Sequence, residues 1–529
     1  MNYKLLITGV VLSTFFSCQE TKKEDAPAKA EASMEEPAVG TYTQTTDIPK
    51  GILTPDVVDT SIGTLNFFDG TPTEETVQLV YDNLDRSRGI DAFLKGIQGA
   101  SVRELIEGPK TIGADVKFND ILIFEQLMDS KQTFLTGNTS TLYVIPTLDL
   151  KENGPMVVEA PPGLLGGFNS AWFEYISDIG VFGPDKGKGG KWLVLPPGYE
   201  GDIPSGYFVV HSPTYKVWNF MRVGIADGLE KAVKMAKETV KVYPLSMADN
   251  PPAMNFVNGS NKAFNTIHHN DYSFYEEVNK TIQEEPLAML DPETRGLFAS
   301  IGIEKGKPFA PDARMKKILT DAVAIGNATI RSIVWYPRTS GSVDNMKGIQ
   351  IYPDTNSSWM MGFLDKNVFF NGKDKMTMNS DARDFFYYCY TVVTPAMAVS
   401  FPGKGSDYGV AFVDADKKAM DGAKTYKVTL PPNVPVNNFW AFTLYDTQTR
   451  SQLQTDQARP SVGSQTEGFK LNADGSMDVY FAPEAPKGFE NNWLQTIPGK
   501  SWFTVLRMYG PLEPWLDKTW RPSEIMLVK

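Results

Sequence analysis

From Ile121 to Leu150 short apolar stretches alternate with turn residues. Thr141 to Pro146 and Pro155 to Glu159 predict strands, separated by the turn-forming Lys151-Glu152-Asn153-Gly154. Trp192 to Pro196 and Tyr207 to Val210 continue the pattern, so a first domain over 51–225 reads as predominantly β. The period then changes. Leu229, Ala232, Val233, Ala236 and Val240 recur at helical spacing, with Glu230, Lys231, Lys234, Lys237, Glu238 and Lys241 on the other face. A second helix is predicted from about Tyr272 to Glu285, ending at Pro286. A third follows Pro311-Asp312, with Asp312 as cap and Met315, Ile318, Leu319, Ala322 and Ile325 on one face. These helices read as connectors, over 226–400, packed against two β regions.

From 401 to 529 the β pattern returns. Tyr426 to Leu430 stops at Pro431-Pro432; Phe439 to Tyr445, Met477 to Phe481 and Trp502 to Tyr509 are further strands, and Asp474-Gly475 is a hairpin signal. Short strands at this spacing suggest a sandwich or jelly roll. The expected fold class is mainly β with helical connectors, an α+β chain with two β-sandwich or jelly-roll-like domains.

The N-terminus adds a compartment. Lys4, the mostly apolar run from Leu5 to Phe16, and Ser17 before Cys18 match a secretory leader too short to span a bilayer as a helix. The pattern predicts a lipoprotein signal over 1–17 with Cys18 lipidated; the competing reading is an ordinary signal cleaved near Ser17. From Gln19 to Lys50 there is no Leu, Phe or Trp, so residues 18–50 cannot bury enough apolar surface to offset their ordering entropy and form a flexible stalk. Gln19 in place of Asp leans toward the outer membrane. The expected location is therefore the cell envelope, with the membrane as a partner through Cys18.

Charge narrows the partners. The net charge is −12, which excludes the broad basic surface that nucleic acid binding draws on. The chain has two cysteines, Cys18 and Cys389, and Cys389 lies in the aromatic run Phe385-Phe386-Tyr387-Tyr388-Cys389-Tyr390, which reads as core around an inert thiol.

Longer motifs carry a family resemblance. Asn138-Thr139-Ser140-Thr141-Leu142-Tyr143, Asp149-Leu150, Gly154-Pro155 and Gly189-Gly190-Lys191-Trp192-Leu193-Val194-Leu195-Pro196-Pro197-Gly198-Tyr199 resemble the bacterial domain of unknown function 1254. The segments Thr449-Arg450-Ser451-Gln452-Leu453-Gln454-Thr455, Asn472-Ala473-Asp474-Gly475-Ser476, Asn491 to Lys500 and Arg507-Met508-Tyr509-Gly510-Pro511 resemble its usual partner, the domain of unknown function 1214. The linking stretch is similar too, at Ala263 to His268 and Pro311 to Lys317. The resemblance implies two β-rich domains with a helical connection, and it supplies no catalytic residues.

Standard catalytic signatures are missing: no Gly-x-Ser-x-Gly, no His-Glu-x-x-His, no Cys-x-x-Cys and no phosphate-binding loop of the Walker type. A three-histidine metal site would use every histidine, His211, His268 and His269, so neither metal nor cofactor is expected. In an enzyme reading, a metal-independent hydrolase or lyase, His268 is a general base oriented by Asp271, with Arg314 or Arg507 stabilising an anion. Against it, His268 and His269 can satisfy backbone carbonyls while Asp271 caps the helix near Tyr272. In a binding reading, Tyr143, Arg450, Trp493 and Tyr509 contact a small polar or carbohydrate-like ligand in an interdomain cleft. A third reading is a structural surface protein with a protein partner. Gly183 to Lys191, glycine-rich and carrying Lys186, Lys188 and Lys191, is either an anion loop or a solvated hairpin turn.

Overall fold

A computed structural model describes residues 46–341, 345–353, 355–372 and 374–528; the leader, Cys18 and the stalk up to residue 45 lie outside them. Two compact units result. The smaller comprises, among the described residues, 46–60 and 64–73; the short strands Val57–Thr60, Gly63–Phe68 and Thr71–Pro72, which fall within it but for Gly63, follow in that order in one sheet. The larger holds 61–63 and everything from Glu74 onward.

The larger unit carries a 34-residue helix, Glu74–Glu107, that the pattern over 51–225 did not predict. The reason is packing on several sides at once: Gly89, Gly96 and Gly99 are all buried, and glycine there lets neighbours come close. A Cβ on Gly89 would lie 2.7 Å from the Cβ of Ala322, and one on Gly99 would lie 2.3 Å from the Trp172 ring. Such a helix has no clean apolar stripe to read. The helices Ser273–Glu284 and Ala313–Trp335 pack on it, and the Tyr275 hydroxyl donates to the Gly89 carbonyl at 3.0 Å. Asp312 caps Ala313–Trp335 as expected, accepting from the Met315 N–H at 2.7 Å. Ile325, expected on the apolar face, is instead 43% exposed; its neighbour Gly326 is buried, where a Cβ would strike Phe93.

After the first helix come two stacked sheets. One has six strands in the order Asn255–Asn258, Asp120–Ile123, Leu142–Asp149, Lys216–Val223, Leu165–Ser170 and Tyr175–Ile179. The other has four, ordered Phe208–His211, Gly190–Leu195, Met156–Ala160 and Lys241–Pro244. This β region thus recruits strands from beyond residue 225. Side chains alternate across a strand. Ile121, Val144, Phe168 and Met221 of the six-stranded sheet therefore share a core with Val158, Trp192 and Val242 of the other. Leu122, Tyr143, Ile145, Trp218 and Phe220 point the opposite way, into the main core with the helices and the C-terminal region.

The C-terminal region is also sheet on sheet. Ser406–Ala411, Ser501–Pro511, Val436–Asp446 and Ser461–Gly463 follow in that order, with Met420–Asp421 also on Ser501–Pro511. Trp493–Gln495, Met477–Ala482, Tyr426–Leu430 and Met526–Leu527 form the second sheet. Phe442 and Trp502 of the first meet Phe481 of the second at ring-centre distances of 6.0 and 4.7 Å. On the reverse face Phe503 stacks on Phe412 at 4.8 Å and meets Trp335 of the Ala313–Trp335 helix at 6.2 Å. The observed class is mainly β with helical connectors. Among the described residues no helix is long and apolar enough to cross a membrane.

Candidate functional site

Each β region places an arginine opposite a tyrosine. In the six-stranded sheet Arg222 pairs with Tyr143, and in the C-terminal sheet Arg507 pairs with Tyr408. Alternation puts Arg222 and Tyr143 on the Phe220 face, toward the main core. It likewise puts Arg507 on one face with Tyr509, two residues on. These faces meet: Arg222 Nη1 donates to the Tyr408 hydroxyl at 3.1 Å. Arg507 donates from Nη1 to Thr443 Oγ1 at 3.1 Å and from Nη2 to the Thr136 carbonyl at 2.7 Å, and it lies 5.7 Å from the centre of the Tyr445 ring. Arg222, Arg507, Tyr143, Tyr445 and Tyr509 are all at most 8% exposed.

A loop threads between the sheets. Thr136 is left-handed, with φ of 41°, and spends every polar group there. Its N–H donates to the Arg450 carbonyl, its hydroxyl to the Cys389 carbonyl, and its own carbonyl receives Arg507. Tyr445 donates to the Gly137 carbonyl at 2.8 Å. The Asn138 N–H donates to the Tyr143 hydroxyl at 2.8 Å, while Asn138 Oδ1 accepts from the N–H groups of Ser140 and Thr141 and closes the turn. The Asn138 to Tyr143 motif is thus a scaffold that orients Tyr143. Beyond Thr136 lies a third buried guanidinium. Arg450 stacks 3.8 Å from the Tyr388 ring centre, donates to the carbonyls of Tyr388 and Gln448, and leaves Nη2 without a partner.

The electrostatics are one-sided. Among the described residues no carboxylate lies within 4 Å of Arg222, Arg450 or Arg507, although buried cations ordinarily need an anion to offset lost hydration. The phenols do not supply one. Burial pushes the Tyr143 hydroxyl up to about 12 against the pull of Arg507, and burial likewise raises Tyr509, so both stay neutral. Asp178 shares the face: Gly167 pairs with both Phe220 and Asp178, which puts the aspartate in the Phe220 row. Burial pushes it up to about 7, while a hydrogen bond from Thr394 at 3.0 Å and the charge of Arg222 act to lower it. Asp178 Oδ1 and the hydroxyls of Tyr390 and Tyr509 are buried with no partner. Guanidinium forks beside neutral phenols suit recognition of a carboxylate or phosphate.

Of the residues singled out from sequence, Tyr143, Arg507 and Tyr509 come together here, and Arg450 adjoins them through Thr136. The others do not. His268 and Asp271 form no dyad: His268 is 2% exposed, its Nδ1 pairs with the His269 carbonyl at 2.9 Å, and its Nε2 has no partner. Burial, helped by the charge of Arg450, pushes His268 down to about 3, so it is no base near neutral pH. Asp271 accepts from the Ser273 N–H at 2.9 Å at the start of a helix. The histidine with a carboxylate is His269, on Glu277. Arg314 grips Asp82 and Asp85 of the first helix, at 2.8 and 2.9 Å, and is a helix clamp. Trp493 is half-buried in the outer C-terminal sheet, its indole N–H on the Ala482 carbonyl at 2.8 Å. The Gly183 to Lys191 segment is a turn closed by Asp185, which accepts from Gly180 and Gly189, with Lys186 and Lys188 exposed. Arg222, Tyr408 and Tyr445 escaped the sequence reading. The available signal was Arg222 itself, a charge inside Trp218-Asn219-Phe220-Met221-Arg222-Val223 at the parity of Trp218 and Phe220.

Residues 118–244 match the family described as a protein of unknown function, DUF1254, and residues 405–513 match another, DUF1214. The chain therefore pairs these two domains in that order, and the arginine cluster takes Tyr143 and Arg222 from one and Tyr408, Tyr445, Arg507 and Tyr509 from the other. No curated protein matches the chain. Among solved structures, the VPA0106 protein from Vibrio parahaemolyticus is 17% identical with a TM-score of 0.50, covering 84% of this chain and 100% of that one. An uncharacterized protein from Burkholderia cenocepacia is 12% identical with a TM-score of 0.37, over 85% of this chain and 96% of that one. The Vibrio likeness is one of fold.

Proposed function

We propose that this chain is an envelope lipoprotein, held by a lipid on Cys18, that captures a small organic anion bearing a carboxylate or phosphate between its two β domains. One observation carries the reading: Arg222 and Arg507 are buried on facing sheets with no carboxylate within 4 Å among the described residues. An anionic ligand would provide the missing charge, and the unpartnered Tyr390 and Tyr509 hydroxyls would provide donors for it. The neighbouring Asp178, lifted toward neutrality, can accept or return a proton once such a ligand is bound, which leaves processing open to the same site.

The test is thermal denaturation of the detergent-purified protein at low ionic strength with phosphate, citrate, a sugar phosphate and a uronic acid. A specific ligand stabilises by RT ln(1 + [L]/Kd), about 2.7 kcal/mol at a hundredfold excess. Arg222→Gln and Arg507→Gln should each remove the response. An equal response in those variants, or none from any of the four anions, overturns the reading. Lipid attachment is tested separately by radiolabelled palmitate, which Cys18→Ser should not incorporate.

A further inference from the structure

A second site lies elsewhere, beside the first helix. A cavity of about 510 Å³ opens between that helix, the turn after Leu165–Ser170 and the Ser380–Cys389 helix, within the size range of small-molecule sites. Its walls are aromatic. Trp172 and Tyr387 are each 4% exposed, whereas Phe369 is 56% exposed, with its ring 6.4 Å from that of Tyr175 and steeply inclined to it. An exposed phenylalanine beside a half-buried tyrosine gives the cavity an apolar rim of the kind that receives a flat, weakly hydrated face.

Its polar groups carry both signs. Gln98, although 94% buried, lines the cavity, and its side-chain amide bonds to no protein group among the described residues. That amide opens on the cavity, where it offers a donor and an acceptor that the protein does not take up. Glu174 and Lys95 also line the wall, and Lys95 has no carboxylate within 4 Å among the described residues. Arg383 is already paired with Asp384 at 2.8 Å, and Asp291 is committed to capping the Pro292–Ser300 helix. A free anion would face Glu174, and a free cation would face Lys95. Hydroxyl groups, which both donate and accept, suit an amide, a carboxylate and an ammonium together.

We infer that this cavity binds a neutral saccharide, with the sugar face against the Phe369, Tyr175 and Trp172 rings and its hydroxyls on Gln98, Glu174 and Lys95. The site shares no residue with the arginine cluster, so the two assignments stand or fall separately. The test is isothermal calorimetry of the whole protein with maltotriose, xylotriose and chitotriose, alongside gluconate as an anionic control. At least one neutral trisaccharide should bind in the millimolar range or tighter. Phe369→Ala, at an exposed position where folding is not at stake, should weaken it at least fivefold, and Gln98→Leu should weaken it further. Arg314→Ala, remote from the cavity, should bind as the wild type does. The inference is overturned if no neutral sugar binds, if gluconate binds more tightly than all three, or if Phe369→Ala and Gln98→Leu both retain wild-type affinity.

Discussion

Arg222 and Tyr408, 186 residues apart in sequence, are joined by a 3.1 Å hydrogen bond that ties the face of one β domain to the face of the other. Each also has a cross-strand partner of the complementary kind, Tyr143 for Arg222 and Arg507 for Tyr408. The result is a continuous line of guanidinium and phenol through the middle of the protein. What the line adds is positive charge at depth, at positions where a leucine would be more economical.

That bond is measurable. In a double-mutant cycle on Arg222→Met and Tyr408→Phe, followed by urea unfolding, the coupling energy should be about 1.5–3 kcal/mol, the range for a hydrogen bond to a charged group. Strict additivity would mean that the contact contributes nothing to stability.

His268 makes the fold sensitive to acid. In the folded chain it stays neutral down to about pH 3, whereas the unfolded imidazole takes up its proton near the ordinary value of 6.5. Between these limits the unfolded state binds the extra proton, so stability falls as pH falls. At pH 4.5 this amounts to roughly 2–3 kcal/mol. His268→Gln should flatten the stability profile between pH 6.5 and 4 relative to the wild type. Parallel profiles for the two proteins would contradict the burial that isolates this ring.

The close approach of the two long helices can be probed at Gly89. An alanine there gains about 1 kcal/mol of helix propensity but brings its Cβ to 2.7 Å from that of Ala322, which has no flexible end to move aside. Overpacking of this kind costs about 1–3 kcal/mol, so the net change should be a loss of up to roughly 2 kcal/mol in urea unfolding. A stabilised Gly89→Ala protein would show that the helices can separate freely.

Much of the secondary structure was legible from local pattern. The strands around Tyr143, Trp192, Tyr426 and Arg507 follow from short β-branched and aromatic runs between turn residues, and the Asp312 cap follows from one side chain before an apolar period. The Glu74–Glu107 helix was hidden because its buried positions are glycines and alanines as much as large apolar residues. Three members of the arginine cluster could be picked out from their motifs, but their meeting could not, since it depends on which strands pair and which faces oppose. Arg222 reads as an isolated charge until Tyr143 lies across from it. His268 and Asp271 show the converse: adjacency in sequence suggested a pair, and a single turn of backbone sends one inward and leaves the other at a helix start.

Thr136 leaves its mark on how the protein comes into being. Its carbonyl waits for Arg507, a residue 371 positions later, and non-local closures of this kind slow folding because the chain must be gathered before the bond rewards it. During synthesis the DUF1254 half emerges first, with the Thr136 loop and Arg222 lacking the groups that complete them. The DUF1214 half made on its own would keep the Thr443 acceptor of Arg507 but lack the Thr136 carbonyl. The boundary between the two families is therefore a boundary of sequence and not of self-sufficiency: a gene that parted them would yield two proteins, each carrying half of an unfinished charge network.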